Sequence, residues 1–316
     1  MTSVDAIRDI KESKSPEVSL STMWAKGRFV RMDAFASSAA ELGFSHVEVN
    51  ASVSPQMLHE LIASRVRISS FHCPCPAVMS SRGRPAADLS LSSLDDSERG
   101  EALAFARETI DHASSVNARA IVLHMGEVPI DPAMEAGLHR LYSEGRSATR
   151  EYRDTREELV YQRKSHAAPY LRAAKESLRE LSEYGRERGI ILGVETRFHI
   201  HEIPSLEEAG ELLGEAPPGT AGYWHDVGHA VVQERLGFGS HEEWLSRFGH
   251  SMIGIHLHDV FGISDHHAPG RGDVDWDLVA RYLPAEAIKV CEIGEWNAEE
   301  RIRGVVAFLQ KKEILV

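Results

Sequence analysis

Positive charge is scarce in this chain. Lys and Arg number 35 against 48 Asp and Glu, for a formal net charge of −13 with His neutral. A field of that sign argues against nonspecific binding to nucleic acid or to acidic membranes, though not against a local basic cleft. Cysteine is scarcer still. Cys73, Cys75 and Cys291 cannot build a disulfide framework, which fits a reduced cytoplasmic setting. Cys73-Pro74-Cys75 could bind a metal, but its tight spacing reads as two partly buried thiols. Long apolar runs are missing as well. Nowhere do about 18 apolar residues follow one another, and the amino terminus MTSVDAIRDIKESKS lacks the apolar region of a signal peptide. No membrane span is expected.

What is present is enough for a large core. The chain has 316 residues, 42% of them hydrophobic, which suits an α/β barrel of about 250 residues carrying one insertion. After a polar arm over 1–15, residues 16–316 read as a single domain with no linker and no repeat at residue level. Strands are expected at Val18–Trp24, His46–Asn50, Val66–His72, Ala120–Met125, Ile190–Arg197, Ala221–Asp226, Ile253–His258 and Ile288–Ile293. Helices are expected between them, over Met32–Leu42, from Ser54-Pro55, and over Leu94–Ser115, Ala167–Arg188, Val231–Phe248, Trp276–Leu283 and Ala298–Lys311. Ser205-Leu-Glu-Glu208 is a capping box that starts another. Eight such units close as a (β/α)₈ TIM barrel. Glu127–Ser165, rich in Arg, Glu and Tyr, exceeds the short loop a barrel needs after strand four; it reads as a helical insertion forming a lid. Its Arg146, Arg150, Arg153, Arg156 and Arg163 are balanced by acids and read as a solvated face.

Polar residues able to bind metal sit at the carboxyl ends of strands three to eight: His72, His124, Glu195, Asp226, His256 and Glu292. His229, Asp265 and His267 follow from adjoining loops. In a barrel those ends surround one mouth, where barrel active sites form. Acids gathered there would repel one another unless cations neutralised them. Nine N and O ligands would hold one to three divalent ions. Mixed imidazole and carboxylate suits Zn, Mn, Fe or Co better than Ca, and the lack of thiolates argues against a structural zinc.

The segments VETR, DVGH, HLHD-x₅-DHHAPGRGDVDW and CEIG resemble the xylose-isomerase-like barrel superfamily, which joins sugar isomerases and epimerases, related dehydratases, and endonuclease IV. The resemblance spans roughly residues 18–311, with Glu127–Ser165 outside it. Its isomerase and epimerase branch implies Glu195, Asp226, His256 and Glu292 as ligands of one Mn, Mg, Co or Zn ion. It also implies Glu195 and Glu292 as the catalytic proton-transfer pair, working through a metal-stabilised enediolate. His229 and Arg197 would bind substrate, with His72 and His124 as further substrate or structural groups. The endonuclease IV branch implies a trinuclear zinc phosphodiesterase using all nine residues, with His72, His124, His229, Asp265 and His267 added to the ligands. A keto-sugar dehydratase or lyase is a third reading. Against the nuclease, the loop Ala51–Ser54 is short and uncharged, and the loop after strand three holds only Arg82 and Arg84. A small carbohydrate is therefore the expected partner, with nucleic acid disfavoured and a homodimer left open. His258 faces the mouth as an acid–base group, a substrate group or a hydrogen-bond partner of a ligand. Arg271 suits an anionic substrate group or an exposed turn, and Glu48 and Trp24 either line the pocket floor or belong to the core.

Overall fold

Apolar–polar alternation builds eight short parallel strands. These are β1 (Ser19–Ser21), β2 (His46–Val49), β3 (Ile68–His72), β4 (Ala120–Leu123), β5 (Ile191–Glu195), β6 (Ala221–Asp226), β7 (Met252–His256) and, after the hairpin of β8 (Asp259–Phe261) and β9 (Ser264–His267), β10 (Ile288–Cys291). The computed structural model describes residues 17–315, so the arm expected over 1–15 lies outside the described residues. The eight barrel strands close in the order β1-β10-β7-β6-β5-β4-β3-β2, as expected of a (β/α)₈ barrel. Inside, Trp224 is packed with Ala120, Val122, Ile288 and Val290. Gly193 and Gly254 make room for its indole: a Cβ at either would stand 2.7 or 2.1 Å from the ring. The barrel centre is therefore an apolar plug, and the metal-competent ends of the strands stand above it. Outward residues such as Leu20, Val47, Phe71, Leu192 and Ile255 join the helices in the main core.

The helices are α1 (Met32–Glu41), α2 (Pro55–Ala63), α3 (Asp96–Ser115), α4 (Pro132–Ser143), α5 (Arg150–Arg188), α6 (Leu206–Glu215), α7 (Val227–Leu236), α8 (His241–Phe248), α9 (Trp276–Tyr282), α10 (Glu299–Ile302) and α11 (Val305–Lys311). Ser54 caps α2 through Met57 N at 3.3 Å, and the Ser205–Glu208 capping box opens α6. Several expectations need correction. Val231–Phe248 is two helices, because Gly237 adopts a left-handed φ of +81° and ends α7. Ala298–Lys311 is likewise interrupted, at Gly304 with φ +92°. The loop expected after β7 contains the β8–β9 hairpin. The helix expected from Ala167 is the second half of α5, a 39-residue helix that runs on through Pro169 and stops at Gly189. Buried residues on both sides of the proline, Leu159 and Ala167 before it and Ala174 and Leu178 after, hold the helix through the missing N–H.

The insertion is thus α4 plus the first half of α5. It has its own small core of Leu138, Leu141, Tyr152 and Leu159, with Ile200 and Phe238 packed against it. Arg163 is not on a solvated face. It is buried and pairs with Glu208 at 2.7 and 2.5 Å, while donating to the carbonyls of Ile200 at 2.6 Å and Glu202 at 2.9 Å.

Candidate functional site

The four residues expected as ligands meet at one point. His256, at the end of β7, carries its Nδ1 2.7 Å from Glu195 Oε1, 3.2 Å from Glu292 Oε2 and 3.4 Å from Asp226 Oδ2. All four side chains are buried. Glu48, the inward residue of β2, receives the other ring nitrogen, Nε2, at 3.1 Å, and accepts from Ser70 Oγ at 2.7 Å. Asn50 Nδ2 donates to Glu292 Oε1 at 3.3 Å.

A second ring of groups stands around this centre. His124 Nε2 lies 3.0 Å from Glu195 Oε2, and His72 Nε2 lies 3.9 Å from Oε1. His72 Nδ1 is buried with no hydrogen-bond partner among the described residues. The Arg197 guanidinium also donates to Glu195 Oε2; Glu202 fixes it by accepting from Arg197 Nε at 3.0 Å and Nη2 at 2.6 Å. His258 Nε2 sits 2.9 and 3.0 Å from the two Asp226 oxygens. Asp226 also caps α7, accepting from His229 N at 2.7 Å. His229 Nδ1 faces the Thr196 carbonyl at 2.9 Å. Because a carbonyl only accepts, Nδ1 donates there, and Nε2 faces the mouth 3.6 Å from Asp265 Oδ2.

Sequence reading placed His267 here, and the structure brings His266 instead. A left-handed backbone at His266, φ +56°, breaks strand alternation in β9. Asp265 and His266 then share the mouth side, 3.1 Å apart, and His266 stacks on His258 at 4.3 Å. His267 pairs with Ser264 Oγ at 3.1 Å outside the cluster. Arg271 is exposed; its backbone N–H donates to Asp259 Oδ2 at 3.1 Å. Asp259 holds the whole Gly270–Trp276 turn, accepting also from Gly270 N, Val274 N and Trp276 Nε1. Of the two floor candidates, Glu48 belongs to the site, whereas Trp24 is core, donating to Asn297 O at 2.9 Å. Cys73 lies at the rim of the mouth, and burial pushes its thiol up to about 12.

Electrostatics show what the centre demands. Burial would raise the Glu195 carboxyl, but the Arg197 guanidinium and hydrogen bonds from His124 and His256 hold it well below the usual range. Asp226 is likewise held down against burial by His229 and His258, and Glu292 by His256 and His266. His256 is pushed the other way: burial would lower it, yet Glu292 and Glu48 hold it well above the ordinary imidazole value. In Glu48 burial wins and raises the carboxyl. Burial drops His72 to about 3, so it stays neutral. Three ionised carboxylates thus surround one imidazolium proton, and that proton stands where their oxygens converge. A divalent ion bound at about 2.1 Å would space its ligand atoms roughly 3 Å apart, close to these separations. Ligand atoms of His72, Glu195, His256 and Glu292 lie within 4.8 Å of one another, and those of Asp226, His229, His258 and His266 form a second such group, so this donor set could hold a divalent ion.

The cavity above this centre has a volume of about 260 Å³ and is lined in part by Asn50, His72, His124, Arg197, His229 and His266. Residues 127–165 contribute nothing to that lining. A larger cavity of about 440 Å³ lies at the opposite end, among Arg67, Arg119 and Lys289; that face of a barrel bears on stability rather than chemistry.

The profile of the xylose isomerase-like TIM barrels matches residues 36–312. The chain belongs to that family. No protein of curated function matches it in sequence. Among solved structures, this family member is similar to a D-tagatose 3-epimerase-like protein at 19% identity and a TM-score of 0.63, over 94% of this chain and 96% of the other. It is also similar to the 3-keto-D-glucoside 4-epimerase YcjR of E. coli at 13% identity and a TM-score of 0.65, over 94% and 99%. D-psicose 3-epimerase from Clostridium cellulolyticum H10 gives 13% and 0.64, again over 94% and 99%. At such identities the likeness is one of fold. Among the described residues no helix is long and apolar enough to cross a membrane.

Proposed function

We propose that this chain is a divalent-metal-dependent isomerase or epimerase of a small sugar or sugar derivative. The observation that carries the reading is the convergence of Glu195, Asp226 and Glu292 on His256 Nδ1 within 3.4 Å, beneath a small cavity whose polar groups include His72, His124, Arg197 and His229. That the similar structures are named as sugar epimerases, or as epimerase-like, supports the same reaction class. A divalent ion held at this centre would polarise a carbonyl and its neighbouring hydroxyl and acidify the C–H between them. Of Glu195 and Glu292, whose carboxyls their neighbours hold low, the ionised one on one side takes the proton; for epimerisation the other, having picked up a proton from solvent, returns it to the opposite side of that carbon. Arg197, fixed by Glu202, donates to substrate oxygens, and His229 meets a substrate hydroxyl through Nε2. Buried neutral His72 serves as a further substrate contact.

One observation favours the trinuclear phosphodiesterase: His72, His124, His229 and Asp265 do stand around the same centre. Two weigh against it. A further ion bridging Glu195 to His72 and His124 would compete with the Arg197 guanidinium already on Glu195 Oε2, and His267 points elsewhere. The test is solvent exchange. Manganese-loaded protein incubated with ketohexoses in D₂O should place deuterium on the carbon beside the carbonyl, read by NMR. Glu195→Gln and Glu292→Gln should each slow that exchange by roughly 10²–10⁴-fold. Nicking of abasic DNA that disappears in His72→Ala, with no exchange into any sugar, would replace this reading by the nuclease.

A further inference from the structure

A second cluster of metal-competent groups lies away from the mouth, where the insertion meets the loop after β5. Glu135 and His139 are one turn apart on α4, so both project from one face. His199 and His201 come from the facing loop. Glu135 is 4% exposed, and its two oxygens lie 3.1 Å from His199 Nδ1 and 2.6 Å from His201 Nδ1. The ligating atoms of Glu135, His139 and His199 all fall within 4.8 Å of one another. The His139 and His199 rings stack nearly parallel, 6.0 Å apart at 10°.

The arrangement is unfinished as a hydrogen-bond network. His139 Nε2 is closed off from solvent, has no hydrogen-bond partner among the described residues, and stands 3.8 Å from Glu135 Oε1. A buried polar nitrogen left bare is costly. One ion between His139, His199 and the carboxylate would satisfy it.

We infer that Glu135, His139 and His199 form a zinc site that fastens the insertion to the barrel. Two imidazoles and one carboxylate suit zinc, with water in the remaining position. His201, on the other carboxylate oxygen, orients Glu135 as an outer-shell partner. The placement explains a need, since the insertion's own core is small. The same loop carries Glu202, which accepts from His199 N at 2.9 Å and grips Arg197. A metal here would therefore stiffen the support of a residue in the mouth. The inference does not depend on the reaction proposed above.

The test uses the full chain, stripped of metal and dialysed to equilibrium against zinc alone, with zinc per chain measured by elemental analysis. Wild type should carry one zinc more than His139→Gln or His199→Gln, whatever the mouth binds, because the mouth is common to all three. His59→Gln, exposed on α2, should match wild type. Zinc should also raise the thermal midpoint of wild type by more than that of His199→Gln. The His199 side chain is 45% exposed on a loop, so this variant decides the matter even if His139→Gln does not fold. Equal zinc content in wild type and His199→Gln would overturn the site.

Discussion

Gly228 shows how much the mouth depends on single atoms. A Cβ there would stand 2.0 Å from His258 Cε1, so the glycine of DVGH is what lets His258 close on Asp226. Gly228→Ala should push that imidazole away and destabilise the fold by about 1–3 kcal/mol; an unchanged urea midpoint would refute the crowding. Glu48 acts at one remove. By receiving His256 Nε2 it leaves Nδ1 free to face the carboxylates, so Glu48→Gln should weaken manganese binding roughly 10- to 100-fold. Titration calorimetry checks this, and wild-type affinity in the variant would reduce Glu48 to a packing residue. Alternation in HVEV was enough to turn Glu48 inward. Its partner, 208 residues further along the chain, could be found only once the barrel closed.

At the scale of elements, the strands were legible because period-two alternation survives wherever one face meets the barrel interior. His72, Glu195, Asp226, His256 and Glu292 could be named from it. Helix ends were less legible. Gly237 and Gly304 break helices by adopting positive φ, but glycine alone does not announce whether it breaks a helix or rides inside one. Gly185, within α5, does the latter. Nor does proline alone announce a helix end, since apolar contacts on both sides carry α5 through Pro169. The exchange of His267 for His266 has the same root: one residue in a left-handed conformation reverses which side chain faces the mouth, and alternation cannot register it.

At the scale of the molecule, stability should depend on acid through groups outside the site. His225 on β6 and His241 on α8 touch Nε2 to Nε2 at 3.1 Å. Burial holds His241 down to about 4 and His225 well below the ordinary value. Both folded values lie below the unfolded one of about 6.5. Between pH 6.5 and 4 the unfolded chain therefore takes up protons that the folded chain refuses, and stability falls as pH falls. Each refused proton contributes a slope of about 1.4 kcal/mol per pH unit. His241→Gln should flatten the dependence of the urea midpoint over that window; an identical slope would mean that these histidines are not the groups responsible.

The long helix α5 has a consequence for how substrate gains entry. Thirty-nine residues at 1.5 Å each make a rod of about 58 Å. Its far half is part of the barrel wall and its near half carries the insertion, with no glycine between Arg150 and Tyr184. Yet none of residues 127–165 lines the cavity at the mouth, so what enters there is sized by the barrel's own strand ends and loops, and the insertion stands beside that path.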